Sequence, residues 1–292
     1  MADVQGVYAA AITPRGKQGE VDFGAAFELL DFLSKGGADG IALFTGAGEY
    51  AALSAAERSR LVYLAVKRSR VPVLAGVGSA TLDDSLALAR AARDAGVAGL
   101  LLPPPYFFRY QQDDVCEFYR QFAVQLGDGA AIFLSNNPVY SSAIETESAR
   151  ALLSGGRFAG IEDASGHAGV FACLKAAASP GARLLAGNDA FFVPALRAGA
   201  HGAVSGVAGV TPELMKSLSA AIRADNQPQI DRLEGRLRQF LAWCEEFPQP
   251  AILRVAAGLR GIKTGGLAVP LSAAKQRRLE EFRAWFPNWL RG

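Results

Sequence analysis

An α/β fold, a (β/α)₈ barrel of the TIM type with a C-terminal helical extension, is predicted by three features of this sequence. Eight short apolar stretches alternate with helical patterns, one glycine-bounded joint recurs between helix and strand, and the strand signals stop near Asn226. Near-continuous hydrophobic strands joined by helices indicate a parallel sheet covered on its faces, and eight such units fit a closed barrel.

The strands are expected at residues 6–13, 40–44, 72–76, 99–102, 130–134, 158–162, 183–186 and 202–205. The joints Gly37-Ala38-Asp39-Gly40, Gly96-Val97-Ala98-Gly99 and Gly199-Ala200-His201-Gly202 each follow a helical stretch and precede an apolar run. In each, the first glycine suits the left-handed cap that ends a helix, and the second opens a strand. His201 occupies a variable slot in such a joint, at the N-terminal face of the barrel, and is read as structural. Helix starts are legible too. Ser54-Ala55-Ala56-Glu57 is a capping box, Thr81 with Asp84 imitates one, and Thr211-Pro212-Glu213 places a cap before a first-turn proline. Residues 227–246, 250–259 and 272–286 read as three helices, the last ending at Pro287. The barrel is thus expected over residues 1–225, with a three-helix extension over 226–292 packed on it.

Composition excludes several classes of function. Half of the 292 residues are apolar and 20% are charged, enough to build a large core. A net charge of +2 gives no basis for a nucleic-acid partner. No run reaches the roughly 18 apolar residues that a membrane span needs. The start, Met1-Ala2-Asp3-Val4-Gln5, lacks a basic or hydrophobic leader pattern, so a cytoplasmic protein is expected. Cys116, Cys173 and Cys244 form no Cys-x-x-Cys pair and read as small buried hydrophobes, and with two histidines no metal site is expected. No cofactor is implied.

Barrel enzymes place their chemistry at the C-terminal ends of the strands. Here those ends bring Thr13, the Thr45–Tyr50 segment, Gly76, Gly78, the Pro103–Arg109 segment, Ser135, Asn136, Tyr140, Glu162, Asn188, Asp189 and Ser205. Glycines in the second and third loops let backbone N–H groups approach a small carboxylate or oxyanion, or simply make tight turns. The aromatic, proline-rich 103–108 run is expected to pack on something, either a neighbouring subunit or as a lid. Glu162 stands where Gly160-Ile161-Glu162-Asp163-Ala164-Ser165-Gly166 leaves its strand. A glutamate accepts or donates a proton, but it cannot add to a carbonyl to form an imine.

Five segments together resemble the dihydrodipicolinate synthase / N-acetylneuraminate lyase family. Thr45-Gly46-Ala47-Gly48-Glu49 is similar to its Gly-Thr-Thr-Gly-Glu loop, and Pro105-Tyr106-Phe107 to its Pro-Tyr-Tyr element. Leu134-Ser135-Asn136-Asn137-Pro138 resembles Leu-Tyr-Asn-x-Pro, and the Glu162 segment resembles Gly-Ile-Lys-Asp/Glu-Ala-Ser/Thr-Gly. Leu185-Ala186-Gly187-Asn188-Asp189 matches a further glycine–aspartate element. The resemblance implies a homotetrameric barrel that binds 2-oxo acids as a Schiff base on the sixth-strand lysine.

Several positions depart from that pattern. The lysine position holds Glu162, the strand-five tyrosine is Ser135, and the second tyrosine of Pro-Tyr-Tyr is Phe107. The paired threonines are Gly46 and Ala47, and the carboxylate-binding arginine maps to Val139 or Tyr140. Such losses remove the nucleophile and its proton relay together. Glu162 is therefore the candidate acid or base, with Gly46, Ala47, Phe107, Ser135, Asn136, Tyr140 and Ser205 as candidate substrate contacts. Glu162 held structurally by Ser135, Asn136 or a water is the competing reading. The expected partner is a small metabolite in the barrel mouth, in a homodimer or homotetramer. The function is then a small-metabolite barrel with Glu162 proton transfer, a non-catalytic binding or regulatory paralogue, or a 2-oxo-acid lyase or synthase as the family resemblance implies.

Overall fold

The computed structural model describes residues 4–292. Met1-Ala2-Asp3, part of the stretch read for a leader, lies outside the described residues. The strands are β1 (Gly6–Ala10), β2 (Gly40–Leu43), β3 (Val73–Gly76), β4 (Gly99–Leu102), β5 (Ile132–Asn136), β6 (Gly160–Asp163), β7 (Arg183–Ala186) and β8 (Gly202–Ser205). They pair in parallel in sequence order, and β8 closes on β1. Between them run α1 (Phe23–Lys35), α2 (Ala55–Arg68), α3 (Leu82–Ala95), α4 (Gln112–Leu126), α5 (Thr146–Ser154), α6 (Ala168–Ala177) and α7 (Phe192–Arg197). After β8 come α8 (Pro212–Arg223), α9 (Gln227–Glu245), α10 (Ala251–Leu259) and α11 (Ala273–Arg291). No described helix is long and apolar enough to cross a membrane.

The repeated joint has the backbone its glycines suggested. Gly37, Gly96 and Gly199 take φ of +90°, +89° and +99°, a region that side chains with a Cβ rarely enter. In the third joint, His201 Nδ1 accepts the Leu184 N–H at 3.0 Å, so the ring braces the start of β7. The Ser54 box is complete: the Ser54 hydroxyl accepts from the Glu57 N–H, and the Glu57 carboxylate accepts from the Ser54 N–H at 3.0 Å. Ser54→Ala is expected to lower stability by about 1 kcal/mol, read from denaturant unfolding. An unchanged midpoint would show the cap to be energetically idle.

Several expectations need correction, and the first strand is one of them, since it ends at Ala10 and not at residue 13. The fifth strand runs two residues further than its apolar stretch, to Asn136, because Ser135 and Asn136 pair in register with Glu162 and Asp163 of β6. The last helix continues through Pro287 to Arg291. A proline inside a helix forfeits one backbone hydrogen bond, but here Phe286 and Trp289 stack at 5.6 Å and Trp289 lies 5.4 Å from Phe240 of α9. That packing, with Arg236 donating to the Trp289 carbonyl at 2.7 Å, holds the final turn. Thr211 does not cap α8; its hydroxyl turns back to the Val207 carbonyl at 3.1 Å. Of the cysteines, Cys116 is buried but Cys173 is exposed, since α6 turns that position outward.

The C-terminal helices are tied to the barrel mouth by a buried cation. Arg254 of α10 is 1% exposed and donates to the Thr13 carbonyl at 2.9 Å, to the Thr264 carbonyl and to the Glu49 carboxylate. Glu49 sits just past β2 in a left-handed conformation (φ 52°), with Arg15 at 3.7 Å. This contact places α9 and α10 over the C-terminal ends of the strands.

Candidate active site

A cavity of about 230 Å³ opens at the C-terminal end of the barrel. The β2 loop supplies Thr45, Gly46 and Ala47 to its wall, β5 and its loop supply Ser135, Asn137 and Tyr140, and β6 supplies Glu162. Asn188 and Asp189 follow β7, while Leu241, Cys244, Gln249 and Leu253 come from the C-terminal helices and their connection.

Strand register explains the chemistry at the floor. Side chains of parallel register partners lie on the same face, so the Ser135–Glu162 pair points inward and the Asn136–Asp163 pair outward. Inside, the Ser135 hydroxyl donates to Glu162 Oε2 at 2.5 Å. Outside, the Asn136 amide donates to Asp163 Oδ1 at 2.6 Å and its Oδ1 accepts the Ile144 N–H at 2.9 Å.

Glu162 is 7% exposed. Burial pushes its carboxyl up to about 7, helped by the neighbouring Asp163 carboxylate and opposed by the Ser135 hydrogen bond. Its space exists because position 187 is glycine: a Cβ there would lie 2.0 Å from Glu162 Oε1. A carboxyl that titrates near neutrality can both take and give a proton at cellular pH.

A second carboxylate in the wall was not among the site residues chosen from the sequence. Asp189 also lines the cavity. Burial raises its pKa against the restraining hydrogen bonds from Ser205 and from the Val207 and Gly206 N–H groups. Its Oδ2 accepts the Val207 N–H at 2.9 Å, and its Oδ1 is buried without a partner. The signal was the glycine–aspartate element itself, but nothing local says that the turn after β7 folds the carboxylate back over the barrel. Cys244, expected as a small buried hydrophobe, lines the cavity, its thiol pushed up to about 12 by burial and by the Asp189 and Glu245 charges.

The cavity brings together Gly46, Ala47, Ser135, Tyr140 and Glu162. The Tyr140 ring lies on Gly46, where a Cβ would come 2.7 Å from its Cε2, and its hydroxyl donates to Gln249 Oε1 at 2.7 Å across the mouth. Three other candidates lie elsewhere. Asn136 is committed to Asp163 on the outer face. Ser205 is fully buried, and its hydroxyl accepts the Ala208 N–H at 2.9 Å. Phe107 is 84% exposed at φ 86°, packed edge-on to Phe108 at 4.9 Å, while Tyr106 turns inward to meet the Tyr50 ring at 5.6 Å. His167 is exposed at the start of α6 and does not line the cavity.

The Dihydrodipicolinate synthetase family model matches residues 3–286. The 4-hydroxy-tetrahydrodipicolinate synthase of Azoarcus sp. (strain BH72) is 30% identical over 277 residues, covering 92% of this chain and 92% of the relative. The enzyme of the same name from Bacillus subtilis (strain 168) is 29% identical over 270 residues, covering 91% of this chain and 92% of its own. Among solved structures, dihydrodipicolinate synthase DapA-2 of Bacillus anthracis superposes with a TM-score of 0.90 at 24% identity, over 96% of this chain and 98% of the other, a likeness of fold. With the family model spanning nearly the whole barrel and its extension, this chain belongs to the dihydrodipicolinate synthetase family.

Proposed function

We propose that this family member binds a small metabolite in its barrel mouth and moves a proton with Glu162, without forming an imine with a 2-oxo acid. The observation that carries this reading is a buried glutamate, its pKa near 7, facing the cavity from the end of β6. Among the described residues, none of the side chains lining the cavity is a lysine. Imine formation needs an unprotonated amine in contact with the substrate carbonyl. Glu162 instead draws a proton from a carbon or hydroxyl of the ligand as carboxylate and returns it as carboxylic acid. The Ser135 hydroxyl orients Oε2, and Tyr140 with Gln249 closes the mouth.

The Ser135 bond to Glu162 also supports a second reading, a non-catalytic binding paralogue in which the carboxyl is held as a structural group. Turnover of a bound metabolite by the parent chain, lost in Glu162→Gln, separates the two. The third reading, an imine-forming lyase or synthase, is tested by borohydride reduction with pyruvate followed by intact-mass measurement. No covalent adduct is expected, and a stable one overturns the proposal. Glu162→Lys alone is expected to show no pyruvate-dependent lyase activity, because Ser135 and Phe107 carry no phenolic relay; measurable turnover would refute that account.

We further assign a homo-oligomer, a dimer or tetramer. Exposed Phe107, Phe108 and Val139 supply an apolar surface beside the mouth, and sedimentation velocity at micromolar concentration reads the state directly. Free cysteines agree with a reducing, cytoplasmic location.

A further inference from the structure

Two acids and no basic side chain face the cavity. Glu162 and Asp189 both line it, and among the described residues its wall includes no lysine, arginine or histidine. The nearby cations are committed elsewhere. Arg58 donates to the Gly76 and Gly78 carbonyls, each at 2.9 Å, and Arg254 is held by Glu49 and the Thr13 carbonyl. A glycine makes room for one of the acids: a Cβ at Gly187 would lie 2.0 Å from Glu162 Oε1.

Two buried polar atoms of the wall are left over. Asp189 Oδ1 is buried with no hydrogen-bond partner, and so is the Thr45 hydroxyl on the β2 side of the same cavity. Buried acceptors normally find a donor, and an orphan one marks a place where a ligand or water completes the site. A 2-oxo acid is an anion and would set its charge beside two acids, with no lysine, arginine or histidine in the described wall to offset it. An ammonium group carries three N–H donors, no acceptor and a positive charge, and its hydrogen bonds to carboxylates are among the strong ones.

We propose that the cavity takes a small primary amine, its ammonium group held at Asp189 Oδ1 in the cavity that Glu162 also lines. This deepens the reading of Glu162 as the working group of the mouth and rests on it. The cavity of about 230 Å³ limits the ligand to a small one. Asp189 is here a ligand-binding residue, and the Thr45 hydroxyl is placed to meet a further polar group on the same molecule.

The test is calorimetric titration of the full chain with L-alanine, pyruvate and L-lactate, which share a carbon skeleton and differ only in an ammonium, oxo or hydroxyl group at carbon 2. Propylamine and 1,4-diaminobutane, which carry no carboxylate, complete the set. An amine is expected to bind at least about tenfold tighter than pyruvate and lactate, and Asp189→Asn to weaken it by about tenfold or more, the scale of one charge-assisted hydrogen bond. Glu162→Gln gives the same readout should Asp189→Asn fail to fold. Pyruvate or lactate binding as tightly as the best amine overturns the proposal. So does an unchanged amine affinity in both variants, or no amine binding at about 10 mM, far weaker than an ordinary metabolite site. Borohydride trapping is read separately. A missing amine preference without an adduct removes this inference alone, whereas an adduct removes the underlying reading of Glu162.

Discussion

Glu162→Gln is expected to make the protein more stable than its parent at pH 8, by about 3 kcal/mol, and to leave it unchanged near pH 4. The ordinary carboxyl value is 4.5 and the folded value is about 7. Below 4.5 the group is protonated in both states and adds no pH dependence. Between 4.5 and about 7 the unfolded chain ionises first, so the folded state binds more protons and stability falls as pH rises. Above 7 the buried group is ionised in both states and the whole penalty is present. Across some 2.5 pH units, at about 1.4 kcal/mol each, the loss comes to about 3 kcal/mol. Glutamine keeps the shape and an acceptor for the Ser135 hydroxyl but never ionises. Asp189, also raised by burial, slopes both proteins alike, while Asp163, whose charge raises Glu162, adds only a coupled share to the difference. Denaturant unfolding from pH 4 to 8 measures it, and parallel pH curves for the two proteins would mean that the carboxyl is not buried as described.

Arg254→Met is expected to cost about 3–5 kcal/mol, the usual penalty for removing one partner of a buried ion pair. The mutation strands the Glu49 carboxylate, 13% exposed, with Arg15 at 3.7 Å as its remaining cation. It also frees the Thr13 and Thr264 carbonyls that Arg254 holds. The double variant Glu49→Gln/Arg254→Met should recover a large part of the loss, because no buried charge is then left unpaired. Thermal unfolding of both variants checks the pair, and equal losses would assign the cost to packing alone. The consequence reaches the site: Leu253, next to Arg254, lines the cavity with Leu241 and Cys244, so loosening α10 should also weaken ligand binding.

The barrel was readable because its signals are local. Apolar runs, the Gly-x-x-Gly joints and the Ser54 box each depend on neighbours a few residues away, and the strands from Gly99–Leu102, Arg183–Ala186 and Gly202–Ser205 have the expected bounds. Failures fell where a distant contact overrules local preference. Ser135 and Asn136 are poor strand formers, yet they extend β5 because Glu162 and Asp163 accept their hydrogen bonds from the next strand. Pro287 stops a helix in isolation, but stacking of Phe286 and Trp289 on Phe240 carries α11 past it.

The same division runs through the site. An acid at the end of the sixth strand, and the kind of chemistry that it permits, follow from residue identity alone, since no folding turns a carboxylate into an amine. Which polar groups share its space does not. Sidedness at a strand end depends on register, which sends Ser135 into the cavity and Asn136 out of it. The Asp189 carboxylate and Leu241, Cys244 and Gln249 share a cavity with Glu162 only because the chain closes β8 on β1 and lays its last helices over the opening. Groups that lie 27 to 87 positions from Glu162 leave no short-range pattern, so the burial that sets its acidity arises with the closed barrel.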